Sequence, residues 1–180
     1  MRVRKSSLAM LAGIIVITLV IVRLARAAML APGAEMPEWS LPDQNGQVVR
    51  SGELAGHSYL LWFYPKAMTP GCTAEARGLR DEYAKLAAAG VTVLGVSFDD
   101  ASSNKQFVEG EKLPFRLLSD SDRKLAVALG AADSSSAFFA RRISYLVGPD
   151  GHIRKTYDNV DPAAHAAQVL RDASPAPAEP

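Results

Sequence analysis

The stretch "YPKAMTPGCTAEARGLRDEY", residues 64–83, carries the only cysteine of the chain, Cys72, at the point where a helix is predicted to begin. Thr-Pro-Gly precedes the cysteine, and apolar residues recur after it at the three- and four-residue spacing of one helix face. We therefore predict a helix over residues 72–90. Unpaired backbone N–H groups and the positive end of the helix dipole stabilise an anion in a first turn, so Cys72 is placed to react as a thiolate.

Strands and helices alternate on both sides of this helix. Compact apolar or β-branched runs predict strands, and segments with capping residues or helical periodicity predict helices. The predicted elements are strands at 57–65, 91–98 and 115–120, helices at 99–111, 121–130 and 161–173, and a hairpin at 142–158. This order predicts an α/β fold with a mixed central sheet flanked by helices, in which the last two strands are antiparallel.

The two ends of the chain differ from this body in composition. Residues 1–30 hold a basic leader and an uncharged run, Leu8–Val22, which suits the apolar core of a signal peptide and is shorter than the roughly 20 residues of a full membrane span. We predict a signal peptide or, if it is not cleaved, an N-terminal anchor in the inner membrane, and hence a periplasmic or cell-envelope location. Residues 34–173 form the predicted domain, and residues 174–180, rich in proline and alanine, a disordered tail.

The composition also excludes several kinds of chemistry. A formal net charge of +1 gives no overall indication of nucleic-acid binding. A single cysteine cannot form an internal disulfide, and Glu75 stands where a CxxC pair would have its second cysteine. His57, His152 and His165 are scattered along the chain and are interpreted as surface residues, so we predict neither a metal site nor a catalytic histidine. Any chemistry of the thiol is therefore intermolecular.

The residues before Cys72 follow a fixed spacing. Thr69 lies three residues upstream, close enough for its hydroxyl to reach the sulfur, and Pro65 lies four residues before Thr69. The pattern Pro-x-x-x-Thr-x-x-Cys matches the active-site signature of peroxiredoxins, and "FYPKAMTPGCT" closely resembles their bacterioferritin comigratory protein, or Q-type, subfamily. The likeness covers residues 34–173 and includes "RRISYLVGPDGHIRKTYDNV", which resembles the segment that carries the family's arginine.

The resemblance implies a thioredoxin-like fold and a thiol peroxidase that reduces hydrogen peroxide and organic hydroperoxides without a cofactor. Cys72 matches the peroxidatic cysteine, which attacks the peroxide and becomes a sulfenic acid. Thr69 would hydrogen-bond the sulfur and the peroxide, and Pro65 would shield the thiolate from water. The family's Arg-x-Ser/Thr-aromatic spacing selects Arg142, and not the adjacent Arg141, as the residue that stabilises the thiolate and polarises the substrate.

The chain departs from the Q-type pattern at Arg77. Many members place a resolving cysteine five residues after the peroxidatic one, and this chain has no second cysteine at any position. The resemblance is thus to a one-cysteine variant, whose sulfenic acid needs an external thiol from a thioredoxin-like protein or a small molecule. We expect a monomer or a weak dimer. Two alternatives stay open: an envelope thiol:disulfide oxidoreductase, and a redox-sensing module that is oxidised once without turnover.

The other notable residues have structural interpretations. Trp39 and Trp62 are expected to pack in the core. Glu75 lies in the first turn of the predicted helix, where a carboxylate favours the helix dipole. Phe138 and Phe139 precede the two arginines, and we expect them to join the core, to line the pocket or to form an oligomer contact.

Overall fold

The computed structural model describes residues 28–158 and 160–173, which form an α/β domain around a five-stranded sheet. A short antiparallel ribbon comes first, made of β1 (Ser40–Pro42) and β2 (Val48–Arg50). The strands of the main sheet are β3 (Ser58–Phe63), β4 (Val91–Ser97), β5 (Arg116–Ser119), β6 (Ile143–Val147) and β7 (Ile153–Tyr157). Their spatial order is β5-β4-β3-β6-β7, with β3, β4 and β5 parallel and β6 and β7 antiparallel to their neighbours. The predicted mixed sheet and its antiparallel last pair are confirmed.

Helices cover this sheet. Within the described residues they are a 3-10 helix (Ser51–Leu54), α1 (Pro70–Asp81), α2 (Tyr83–Ala88), α3 (Ala101–Glu111), α4 (Lys124–Ala128) and α5 (His165–Ala173). α5 begins four residues later than predicted. The Asp161 side chain instead caps the preceding turn by accepting a hydrogen bond of 3.0 Å from the Ala163 backbone N–H.

The segment predicted as one helix over 72–90 forms two helices. α1 ends where the backbone of Glu82 leaves helical geometry, with φ −94° and ψ 1°. The break allows the two pieces to pack in different directions, since α1 lies against α5 and α2 lies against β4. The apolar spacing continues across Glu82, which is why periodicity alone predicts a single element.

Strand β3 runs through the centre of the core. Its alternate side chains enter two separate clusters of buried residues: Tyr59, Leu61 and Phe63 join one, and Leu60 and Trp62 join the other together with Tyr64. A strand that is apolar on both sides is expected where helices or loops cover both faces of a sheet. Trp39 and Trp62 are both buried, which confirms their interpretation as packing residues. Cys72 belongs to the same cluster as Trp62.

Phe138 and Phe139 do not join the core. They are 87% and 58% exposed in the loop between α4 and β6, so the prediction of a core role is wrong. The small side chains of Ala131, Ala132 and Ala140 enter the core from this loop instead, and they leave the phenylalanines on its outer side. The alternative roles in a pocket or an oligomer contact stay predictions.

The two predicted terminal segments fall largely outside the described residues. The basic leader and the apolar run lie within residues 1–27, and the Pro- and Ala-rich tail within 174–180. At the described start of the domain, Met29 and Leu30 pack against the core, and the Leu30 backbone N–H donates to the Tyr145 hydroxyl at 3.2 Å. Ordered packing therefore includes residues just before the predicted domain boundary at 34.

Candidate active site

Cys72 lies in the first turn of α1, as predicted. The helix begins at Pro70, whose missing N–H costs nothing at a helix start, and Thr69 precedes it in extended geometry. The Cys72 side chain is fully buried. A Cβ atom at Gly71 would approach Arg142 Nη2 to 3.2 Å, so the glycine leaves the space that a guanidinium occupies beside the sulfur.

Arg142 reaches the sulfur from the neighbouring strand. Because β6 pairs with β3 in a register that puts Ile143 opposite Phe63, the residue before Ile143 lies beside the loop that leads into α1. Arg142 Nη2 lies 3.4 Å from Cys72 Sγ, and Nη1 donates to Glu75 Oε2. Burial opposes the charge of the guanidinium, but the sulfur and Glu75 outweigh it and raise the pKa of Arg142 above its ordinary value. A permanent positive charge therefore stands next to the thiol.

Arg141 points away from this site. Its Nη1 donates to the Gly130 carbonyl at 2.8 Å, and its backbone N–H donates to the Ala131 carbonyl at 2.7 Å. Both arginines precede the first residue of β6, so the alternation of side chains along a strand does not set their directions. Their opposite directions come instead from the bonds that fasten Arg141 to the loop before the strand.

Thr69 lies in a loop that a buried carboxylate holds in place. Asp99, which follows β4, accepts hydrogen bonds from Lys66 Nζ and from the Ala67 backbone N–H, the latter at 2.8 Å. The Thr69 hydroxyl donates to the Lys66 carbonyl at 2.9 Å, so its proton is used and its lone pairs are left to accept a hydrogen bond. The predicted Thr69–Cys72 hydrogen bond is not made in this arrangement. Sequence reasoning missed Asp99, for which no spacing rule gives a signal.

Pro65 is half-buried between β3 and this loop. The residue before it, Tyr64, continues the pairing of β3 with β4 through a hydrogen bond of 3.0 Å from its N–H to the Val96 carbonyl. The buried Tyr64 hydroxyl donates to Asn104 Oδ1 at 2.7 Å. Both the backbone and the side chain of Tyr64 are therefore held by hydrogen bonds at the start of the loop, which keeps Pro65 close to the buried end of β3.

Glu75 has a different environment from the one predicted. One turn after Cys72, it lies on the same buried face of α1 and is fully enclosed. One carboxylate oxygen accepts from Arg142, and the other lies 2.8 Å from His165 Nδ1. That second contact is at ion-pair distance but off the N–H axis of the ring, so it is not an aligned hydrogen bond. The prediction that Glu75 lies in the first turn is wrong, because α1 begins at Pro70 and has no acidic residue in its first turn.

His165 is also misplaced by the sequence interpretation. It is 1% exposed, and the prediction of a surface position is wrong because α5 turns His165, Ala166 and Val169 toward α1. Its ring makes a T-shaped contact with Tyr157, with centroids 5.2 Å apart. The sequence signal was present: His165 lies on the same helix face as Ala166 and Val169. His57 and His152 are exposed, as predicted.

Arg77 stands on the outer face of α1. It donates from Nε and Nη2 to the two carboxylate oxygens of Glu111, at 2.6 and 3.0 Å, which joins α1 to the end of α3. Arg80 adds a bond of 2.9 Å to the Glu111 carbonyl. The hydrogen bond from Arg77 lowers the pKa of Glu111, so the carboxylate is charged at neutral pH. The position that resembles the resolving-cysteine site is thus an anchor point between two helices.

A sulfur held beside a fixed cation at a helix start can act as a nucleophile toward a small electrophile. This fold and this site define a class, the thiol-dependent peroxidases with thioredoxin-like architecture. A family model described as the AhpC/TSA family matches residues 32–156, and the chain belongs to that family. Peroxiredoxin Bcp of Escherichia coli K12 is 42% identical over 147 residues, which cover 78% of this chain and 94% of that protein.

Two solved structures support the same assignment. The peroxidoxin BcpB of Mycobacterium tuberculosis matches with a TM-score of 0.75 and 28% identity, over 81% of this chain and 97% of that chain. A bacterioferritin comigratory protein of Xanthomonas campestris, whose structure addresses its alkyl peroxide reduction activity, matches with a TM-score of 0.71 and 28% identity, over 81% of this chain and 96% of that chain. The thioredoxin-like fold and the thiol peroxidase activity that the sequence predicts are confirmed.

The predicted location in the periplasm or cell envelope is wrong. The relatives are peroxiredoxins of the Bcp type, and that assignment does not support an envelope location. In residues 28–158 and 160–173, no helix has both the length and the apolar character needed to cross a membrane. The leader itself lies outside the described residues, and the comparison gives no support for a signal or transmembrane segment.

Proposed function

We propose that this peroxidase acts on hydrogen peroxide and organic hydroperoxides with Cys72 as its nucleophile. The thiolate attacks one peroxide oxygen, an S–O bond forms and the O–O bond breaks. The departing oxygen takes a proton and leaves as water or an alcohol, and Cys72 is left as a sulfenic acid. The observation that carries the proposal is the distance of 3.4 Å between Arg142 Nη2 and Cys72 Sγ in the first turn of a helix.

The neighbouring residues have separate roles in this reaction. Arg142 stabilises the thiolate before the attack, and its charge also favours the oxyanion that leaves after the O–O bond breaks. Thr69 positions the peroxide, since its lone pairs can accept a hydrogen bond from a hydroperoxide O–H while its own proton is held by Lys66. Pro65 limits the access of water to the sulfur.

The sulfenic acid is reduced from outside the chain. With one cysteine in the sequence, no internal thiol can condense with it. A first external thiol forms a mixed disulfide and releases water, and a second thiol then frees Cys72 and forms a new disulfide. A thioredoxin-like protein or a small thiol supplies these electrons. The alkyl peroxide reduction activity of the Xanthomonas campestris relative supports organic hydroperoxides as substrates. A monomer or weak dimer stays our prediction.

The test is peroxide consumption by the purified protein with dithiothreitol, compared with Cys72→Ser. We expect the variant to fold and to lose turnover. In the natural protein we expect dimedone to react with the sulfenic acid of Cys72, which releases its oxygen as water and leaves one covalent adduct on the sulfur. Arg141→Ala is the matched control, because Arg141 contacts Gly130 and not the sulfur. Full turnover in Cys72→Ser would overturn the proposal. A single oxidation without turnover, in the presence of excess thiol, would favour a redox-sensing module.

A further inference from the structure

Four ionisable groups form one continuous buried cluster at the active site. Cys72 and Glu75 are fully buried, His165 is 1% exposed, and the Arg142 side chain is 21% exposed. Arg142 contacts both Cys72 and Glu75, and Glu75 contacts His165. The contacts therefore run in a chain from the sulfur through the guanidinium and the carboxylate to the imidazole.

The charges of this cluster do not balance when the nucleophile is formed. A thiolate and the Glu75 carboxylate carry two negative charges, and the single guanidinium of Arg142 carries one positive charge. An unbalanced charge in a buried site is unfavourable, because water cannot solvate it. While Cys72 is a neutral thiol, the pair of Arg142 and Glu75 is already balanced. Forming the nucleophile therefore creates a need for one more positive charge.

We propose that His165 supplies this charge and is a positioning residue for the peroxide reaction. It carries a proton when Cys72 is a thiolate, forms an ion pair with Glu75, and leaves the charge of Arg142 available to the sulfur. This role rests on the proposed function of Cys72 as the nucleophile. His165 does not touch the sulfur or the substrate, and it acts through Glu75 and Arg142.

The surroundings of His165 make Glu75 its partner. Among the described residues, Glu75 is the only one that forms an ion pair with the ring, and Nε2 has no hydrogen-bond partner in this structure. The Tyr157 ring packs against the imidazole from β7, and its hydroxyl donates to Asp172. The Asp161 carboxylate accepts from the Ala163 N–H, and its carbonyl accepts from the His165 backbone N–H. The side chains of these two acids are thus engaged in other hydrogen bonds, and Glu75 is the acid at ion-pair distance from the ring.

This arrangement couples two protonation events. A thiolate on Cys72 favours the proton on His165, and the proton on His165 in turn favours the thiolate. Groups coupled in this way titrate as a unit, and removing one partner shifts the other. His165→Gln cannot carry the charge, so the thiolate should form at higher pH. A shift of about one pH unit is the size expected from a neighbouring charge.

The first experiment is a cycle of His165→Gln, Glu75→Gln and the double variant, with the rate of Cys72 alkylation by iodoacetamide measured against pH. We expect His165→Gln to move the profile up by about one pH unit, which is about tenfold less thiolate below the midpoint. Glu75→Gln should move it down, because Arg142 then serves the sulfur alone. In the Glu75→Gln background His165→Gln should change nothing, because no carboxylate is left to balance. An equal shift in both backgrounds would overturn the proposal.

A second experiment does not depend on the folding of a histidine variant. The titration of the His165 ring, followed by NMR, is compared between the natural protein and Cys72→Ser. We expect the ring to hold its proton to higher pH in the natural protein, because Cys72→Ser has no anion to balance. Identical titrations in the two proteins would refute the role of His165 as the balancing charge. A ring that stays neutral throughout would also refute it, and would place the extra proton on Glu75. A purely structural His165 would lower the urea midpoint of His165→Gln without moving the alkylation profile. Loss of turnover in Cys72→Ser tests the proposed function separately.

Discussion

Replacing Arg142 by methionine separates its effect on reactivity from its effect on folding. The side chain keeps much of its apolar length and loses the guanidinium that lies 3.4 Å from the sulfur. At an effective dielectric constant of about 20, two unit charges at that distance interact with roughly 5 kcal/mol, an upper bound because Glu75 shares the cation. A charge-assisted hydrogen bond contributes about 1.5–3 kcal/mol. We therefore expect thiolate formation, and with it the rate of peroxide attack, to fall about 10- to 150-fold at neutral pH.

Folding stability should fall as well, for a separable reason. Arg142→Met removes the guanidinium partner of the fully buried Glu75, and breaking a buried pair in this way costs about 3–5 kcal/mol. In the double variant with Glu75→Gln no unpaired charge is left. We expect the urea midpoint of the double variant to recover most of this loss while peroxide attack stays slow.

The assays are urea unfolding and the second-order rate of peroxide consumption, with Arg141→Met as the matched control. Arg141→Met loses the bond to the Gly130 carbonyl, worth about 1 kcal/mol, and should leave the peroxide rate unchanged. Recovery of both stability and rate in the double variant would refute the reasoning, because Arg142 would then act only by holding the fold. An equal loss of rate in Arg141→Met would refute the assignment of the two arginines.

Two further predictions concern other parts of the molecule. In Arg77→Cys, the Cα atoms of positions 72 and 77 on an intact helix would be about 8.6 Å apart, which is beyond the roughly 7 Å that a disulfide spans. Peroxide should therefore first give a sulfenic acid that reacts with dimedone. This sulfenic acid should form a disulfide with the new cysteine only as α1 unwinds. An immediate bridge without an adduct would contradict this. Burial raises the pKa of Asp120 above 3.8, so the folded state binds its proton more tightly than the unfolded state does and loses stability as the pH rises through that range. When the urea midpoint is plotted against pH, Asp120→Asn should flatten the curve in this pH range. An unchanged slope would argue against this role of Asp120.

Much of the architecture could be predicted because each strand and helix follows from its own residues. The apolar run that becomes β3 and the turn that joins β6 to β7 are local signals, and so is the proline-glycine start of α1. The pair of Cys72 and Arg142 is a long-range contact that composition and periodicity could not give. The resemblance to a known signature supplied it, and the register of β6 against β3 explains it.

The errors arise where tertiary contacts decide the environment of a polar residue. His165 is a polar residue on a short helix, and its burial depends on the packing of α5 against α1. Glu75 lies one turn further into α1 than predicted, and its environment is set by Arg142 and His165, which come to it from other elements. Likewise, Phe138 and Phe139 are apolar, but alanines of the same loop occupy the space that the core offers. Single-residue interpretation assigns each of these to its commonest environment.

The link between Arg77 and Glu111 has a consequence for how the active-site helix moves. A cysteine at position 77 would make the opening of the helix depend on the oxidation state of two sulfur atoms. Here α1 is fastened to α3 by an exposed ion pair, with Arg77 56% exposed. Dissolved ions screen such pairs, over a length of about 8 Å at physiological ionic strength and about 3 Å at 1 M. This ion pair between α1 and α3 therefore weakens as the salt concentration of the surrounding solution rises, a variable that carries no electrons.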